Sequence, residues 1–253
     1  GNVEIGADSS LTFDSYLVVA YAGTAQVDQN AGSVLVDNNM PLYIGERSDS
    51  DGTYNLNAGS LHVTGDLCIG GNSGSAGGEG ILTVGESAIL TVDGELKLWS
   101  GGTLDGKGSL AANVTNAGTL APGQSPGLMT IDGDYTQDAA ATLEIELAGL
   151  MRGSEYDALV ITGAATLGGT LEVKLLGGFA PANGDRFDIL DWASRNGGSE
   201  FDTLILPLLD ADQYWDISDL YTDGEIAAAP EPATMSLLAL GGLAMLRRRR
   251  RSA

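Results

Sequence analysis

Over the first hundred residues apolar and polar side chains alternate at period two, as in Leu42/Ile44, Leu61/Val63, Leu67/Ile69 and Leu90/Val92. That period puts alternate side chains on one face of an extended chain, which is strand spacing rather than helix spacing. The runs are short and are separated by Asn-Ala-Gly triplets at 30–32, 57–59 and 116–118, or by glycine-rich stretches such as 70–80. Asn and Gly tolerate positive φ, so the repeated triplet is expected to mark one corner, where the chain turns from one sheet into the next. Residues 16–21 are apolar and short, and a buried strand is expected there. No stretch before Ala227 carries a helical period.

The pattern repeats. The ten residues from Val27, VDQNAGSVLV, return 27 positions later from Tyr54 as YNLNAGSLHV, and more loosely over 81–92. In step with them, LVVA from Leu17, LYIG from Leu42, LCIG from Leu67 and LKLW from Leu96 open successive units at spacings of 25, 25 and 29. Periods of 20–50 residues signal an array in which each unit buries its apolar face against its neighbours. Short strands, glycine corners and this period predict an all-β fold, a parallel β-solenoid (β-helix). Its coils stack about 4.8 Å apart.

Beyond residue 111 the strand alphabet continues with less repetition. Strands are expected at 142–147, 156–162, 170–175, 186–191 and 201–206, with Leu143, Ile145 and Leu147 facing in and Glu144 and Glu146 facing out. A repeat stack needs a cap, and this region is expected to supply it. The chain therefore divides into solenoid repeats (1–111), a solenoid end with a β-rich cap (112–226) and a C-terminal tail (227–253).

Charge sharpens the picture. The chain of 253 residues carries 12 basic and 34 acidic groups, and five of the basic ones are Arg247, Arg248, Arg249, Arg250 and Arg251. Residues 1–246 thus hold 7 basic against 34 acidic groups. Such a body repels phosphate backbones, so no nucleic-acid partner is expected. Ahead of the arginines, residues 233–246 contain no charge. A 14-residue helix reaches about 21 Å, short of the ~30 Å hydrocarbon core, although snorkelling arginines and the flanking alanines extend it. The arginine block stays cytoplasmic under the positive-inside rule, which places residues 1–226 across the membrane. A short C-terminal transmembrane helix is expected. The opening residues show no charged n-region followed by an apolar h-region, so any secretory leader is expected to have been removed or left out.

The order of parts in this tail, Pro230-Glu231-Pro232, a short glycine-containing apolar stretch and a terminal arginine cluster, resembles the PEP-CTERM sorting signal. The resemblance implies that Pro230, Glu231 and Pro232 are recognition residues for an exosortase-type membrane peptidase of Gram-negative bacteria that make extracellular polysaccharide. It also implies processing near the triplet. These are substrate features and not catalytic groups. Residues 116–127 (NAGTLAPGQSPG), 129–137 (MTIDGDYTQ) and 156–163 (YDALVITG) resemble the late passenger β-helix of autotransporters. No series of ten-residue alternating strands follows, as an autotransporter barrel requires.

Catalytic constellations are weak. One cysteine, Cys68, and one histidine, His62, cannot assemble a Cys/His metal site or an intrachain disulfide. His62 alternates with Leu61 and Val63 and is expected to point outward, and Cys68 alternates with Leu67 and Ile69, which predicts an exposed or ladder position. The run 49–52 (DSDG) resembles a fragment of a calcium loop, but Arg47 stands at the preceding alternate position and no acidic residue closes it. The run 77–80 (GGEG) starts like a calcium-binding nonapeptide, with Leu82 where an aspartate ligand is needed. The pairs Asp132/Asp134 and Glu144/Glu146 share strand faces and would serve acid/base work only across a cleft. Trp99, Trp192, Tyr214 and Trp215 are candidates for sugar stacking, with cap packing the commoner role.

These readings point to an exported, non-enzymatic structural or adhesive solenoid, sorted to the cell envelope or an extracellular polysaccharide matrix, with no cofactor or metal. The rival readings are a polysaccharide-degrading β-helix enzyme and a carbohydrate-binding module.

Overall fold

The computed structural model describes residues 1–124 and 126–231. Its described residues are all-β, with no helix, and form a parallel β-solenoid closed at its C-terminal end by a small antiparallel sheet. No helix of the described residues is long and apolar enough to cross a membrane. The expected transmembrane helix lies outside them, as do Pro232 and Arg247, Arg248, Arg249, Arg250 and Arg251.

Each coil gives one strand to each of three parallel sheets. The first sheet runs from Asn2–Ile5 through Gly23–Gln29 and onward to Thr203–Ile205. Its inward positions form one largely apolar stack: Val27, Tyr54, Leu82, Leu104, Leu120, Leu143, Leu171 and Leu204. The second sheet stacks Val34, Leu61, Leu90, Leu110, Ile131 and Ile161, and ends on Trp192. The third stacks Leu17, Leu42, Leu67, Leu96 and Val114. Most of these side chains are fully buried, and the three stacks meet in one continuous core.

The register follows the sequence repeat. Leu17 pairs with Leu42, Leu42 with Leu67 and Leu67 with Leu96, which are the spacings of 25, 25 and 29. Val27 lies beside Tyr54 and Val34 beside Leu61, the 27-residue repeat. Farther along, Leu104 pairs with Leu120 only 16 positions on, whereas Leu171 pairs with Leu204 after 33. Coil length varies because corners accept insertions and deletions while strand pairs do not. The strand at 16–21 is present as Leu17–Val19, with Val19 and Ala20 buried and the flanking Tyr16 and Tyr21 exposed.

Two of the three Asn-Ala-Gly triplets share a corner. At 30–32 and 57–59 the chain passes from the first sheet to the second, Gly32 and Gly59 take φ of 76° and 87°, and Asn57 Nδ2 donates to Asn30 Oδ1 at 2.9 Å. The triplet at 116–118 lies elsewhere, between the third sheet and the first. There Asn116 is buried, its Oδ1 accepts from the Gly118 N–H at 2.9 Å, and its Nδ2 donates to Tyr135 Oη at 3.1 Å. The same three letters thus serve a left-handed turn in one place and a buried amide plug in another.

The buried amides of Gln29 and Gln137 are hydrogen-bonded, as burial requires. Gln29 accepts from Tyr54 Oη at 2.7 Å and donates to the Ser60 carbonyl at 2.9 Å. Gln137 repeats the arrangement with Tyr135 Oη at 2.8 Å and the Thr170 carbonyl at 2.9 Å. Each amide ties a corner carbonyl of the next coil to the core.

The closing sheet is antiparallel, with Glu225–Pro230 between Arg186–Asp188 and Gln213–Asp216. Its inner side is aromatic. Phe187 is fully buried and packs edge-on against Tyr156 (5.4 Å between centroids) and Phe179 (6.1 Å), with Trp215 at 6.0 Å. Rings this large cover the open end of the aliphatic stacks without a further coil.

Candidate functional site

The last strand of the closing sheet leads directly into the Pro-Glu-Pro triplet. Ala227 and Ala228 are buried, and the small side chains let the strand lie flat on the core. Gly224, at φ 73°, precedes it where a Cβ would overlap the Leu190 carbonyl, so only glycine admits the strand at that angle. Arg186 holds Glu225 in an ion pair and reaches Asp219 at 3.5 Å. Pro230 pairs with Gln213 as the final rung, beyond the reach of the third strand. A proline fits there because it has no N–H to offer a second neighbour. Glu231 N–H donates to the Asp212 carbonyl at 2.8 Å, and both Pro230 and Glu231 are exposed. The first two residues of the triplet are therefore presented at the edge of a packed sheet, with no spacer between cap and signal.

A second cluster lies near Gly123 and Gly127. Asp157 is buried; its Oδ1 accepts from the Gly127 N–H and its Oδ2 from the Glu146 N–H, each at 2.7 Å. Burial outweighs these two donors and, with Glu146 and Asp105 nearby, pushes its pKa up to about 7. Asp105 is pushed up to about 6, mainly by burial, with Glu146 and Glu144 adding repulsion. Lys174 bridges Glu144 at 2.7 Å and Glu172 at 3.7 Å. Perturbed carboxyls of this kind are functional-site candidates and equally features of structural networks. Here the bidentate grip of Asp157 on two backbone N–H groups binds neighbouring coils together. Sequence reasoning missed Asp105 and Asp157, because nothing in their local patterns distinguishes them from solvated acids.

The remaining candidates are dispersed. His62 is half-exposed and lies 3.0 Å from Asp93 on the second sheet's outer face. Cys68 sits in an outward ladder position between Tyr43 and Lys97 but is buried rather than exposed. The loop 70–78 folds back over it: Tyr43 Oη meets Ser73 Oγ at 2.8 Å, and Trp99 Nε1 donates to the Asn72 carbonyl at 2.8 Å. Burial, with Asp66 nearby, pushes the thiol up to about 12, which leaves it inert as a nucleophile at neutral pH. In the 49–52 run, Ser50 Oγ accepts from Arg47 N–H at 3.0 Å and donates to its carbonyl at 2.6 Å, forming a closed turn. Gly77, Gly78 and Gly80 each lie where a Cβ would overlap neighbouring backbone, so these glycines serve close coil contact. Asp132 accepts from Thr162 Oγ1 at 2.7 Å, and Asp134 accepts from the Ala164 N–H at 2.7 Å. Among the tryptophans, Trp192 and Trp215 pack on the core, while Trp99 lies under Lys97, 5.4 Å from its ammonium. Tyr214 is exposed.

A search of curated proteins finds no match to the chain. Residues 228–251 match the family model of the PEP-CTERM protein-sorting motif, which spans the final residues of the closing sheet and the uncharged and arginine segments behind it. The chain thus carries the C-terminal membrane-anchoring signal of an exported protein sorted by way of an exosortase.

Proposed function

We propose that the chain is a non-enzymatic structural or adhesive rod, delivered to the cell surface or an extracellular polysaccharide matrix. The observation that carries this reading is the direct continuation of the cap into the sorting motif, which makes the solenoid the cargo. Its surface chemistry suits the role. On the outer face of the first sheet Thr103, Thr119, Thr142, Thr170 and Thr203 stack in register, one hydroxyl per coil. Beside them runs a rank holding Asp105, Glu144 and Glu172. A flat grid of hydroxyls at the ~4.8 Å coil spacing offers repeated hydrogen bonds to a polyhydroxyl chain, and the carboxylates favour neutral glycans or acidic ones bridged by cations.

One observation favours a second reading, a glycan-cleaving enzyme: the raised pKa values of Asp105 and Asp157 beside Glu144, Glu146 and Lys174. Co-sedimentation with extracellular polysaccharide from a host carrying the sorting peptidase separates the two. The structural reading expects the protein to sediment with the polymer, a Thr119→Val/Thr142→Val/Thr170→Val variant to lose most of that binding, and reducing ends to stay constant. Release of reducing ends that disappears in Asp105→Asn would establish the enzyme instead.

A further inference from the structure

We propose that the loop bearing Leu208 is a foot that rests on a neutral phospholipid surface beside the exit of the sorting signal, an inference that rests on the reading of the tail as a membrane anchor. Leu208 is 96% exposed, the most exposed of the large apolar side chains among the described residues. It is not on a free-swinging loop. Leu206 packs against the core, the Pro207 carbonyl accepts from Trp215 Nε1 at 2.9 Å, and the Asp210 carbonyl accepts from the Gln213 N–H at 3.1 Å. The backbone on either side of Leu208 is therefore tied to the cap, and the side chain is held outward. Among the described residues nothing covers the Leu208 side chain.

The position of the loop identifies its occupant. It ends at Gln213, which pairs with Pro230, and Asp212 receives the Glu231 N–H. The loop and the start of the sorting signal thus share one edge of the cap. After Glu231 a single residue precedes the uncharged run 233–246, and two residues of extended chain span about 7 Å at most. A bilayer that receives that run lies against this edge. Asp210, Asp212 and Glu231 surround the loop and disfavour an anionic surface, so the chemistry selects a zwitterionic one.

The test uses the full chain reconstituted through its tail into phosphatidylcholine vesicles. An environment-sensitive dye is placed at Asp210→Cys, or at Asp8→Cys in the first coil as a distant reference, with buried Cys68 left in place. Quenching by lipid-attached quenchers is expected to be several-fold stronger at 210 than at 8, and to fall to the reference level when Leu208→Ser is added. Flotation with the vesicles but equal quenching at both positions would overturn the foot while leaving the anchor intact. Crosslinking between the 210 positions of two copies, without quenching, would assign the loop to self-association and also overturn it. Failure to float would overturn the anchor reading, and the foot with it.

Discussion

Asp105 and Asp157 hold protons above the ordinary carboxylate range because the fold buries them among other acids: Asp105 faces Glu144 and Glu146, and Asp157 faces Glu146 and Asp105. The sign of the consequence follows from proton linkage. A carboxyl whose folded pKa is raised binds its proton more tightly in the folded state, so its contribution favours folding at low pH and is lost as pH rises. For Asp105 that loss runs from the usual carboxylate range, near 4, to about 6; for Asp157 it continues to about 7. Thermal unfolding followed from pH 4 to pH 8 is expected to show a falling midpoint. In Asp105→Asn, which keeps an acceptor for the Gly106 N–H but cannot ionise, the fall below about pH 6 is expected to be shallower. Identical slopes in both proteins would show that this carboxyl is not perturbed. At this scale the sequence was least informative. Alternation told which side of the strand Cys68 faces, but not that residues 70–78 cover that side. His62 and the inward Leu143, Ile145 and Leu147 needed only alternation and are placed as expected.

Strands and corners were more legible, since a parallel stack repeats its own register in the sequence. The spacings of 25, 25 and 29 are the strand pairings themselves. The third Asn-Ala-Gly triplet misled because a corner motif records a local turn and not its place around the coil. The composition of the closing sheet was hidden for another reason: its strands pair antiparallel across distant segments, 186–188 with 225–227 and 213–216 with 227–230, and so leave no period. That sheet holds the sorting junction, and the end of a solenoid opens independently of its middle. Trp215→Ala removes a ring packed on Phe187 and a hydrogen bond to the Pro207 carbonyl, and is expected to cost the cap about 2–4 kcal/mol. Hydrogen exchange should then rise sharply over 213–231 while 50–100 stays protected. Uniform loss of protection along the chain would mean that cap and solenoid unfold as one unit.

For the molecule as a whole, the fold class was legible from repeats, and the sorting signal from the order of triplet, apolar run and arginines. What it carries and what it touches are set by surface chemistry that repeats do not encode. The acidic excess of residues 1–246 keeps the rod soluble and repelled from polyanions, while the five consecutive arginines 247–251 oppose export of their own segment. Cargo and signal meet at Pro230 and Glu231, on the edge of the closing sheet. The most direct measurement is the size and location of the full-length protein in a host with the sorting peptidase, beside a variant in which Pro230, Glu231 and Pro232 are all alanine. The native chain is expected to lose its tail and reach the surface or medium, while the variant stays full-length in the inner membrane. If both forms keep the tail and fractionate alike, the triplet is not read as a signal, and the solenoid is not a sorted cargo.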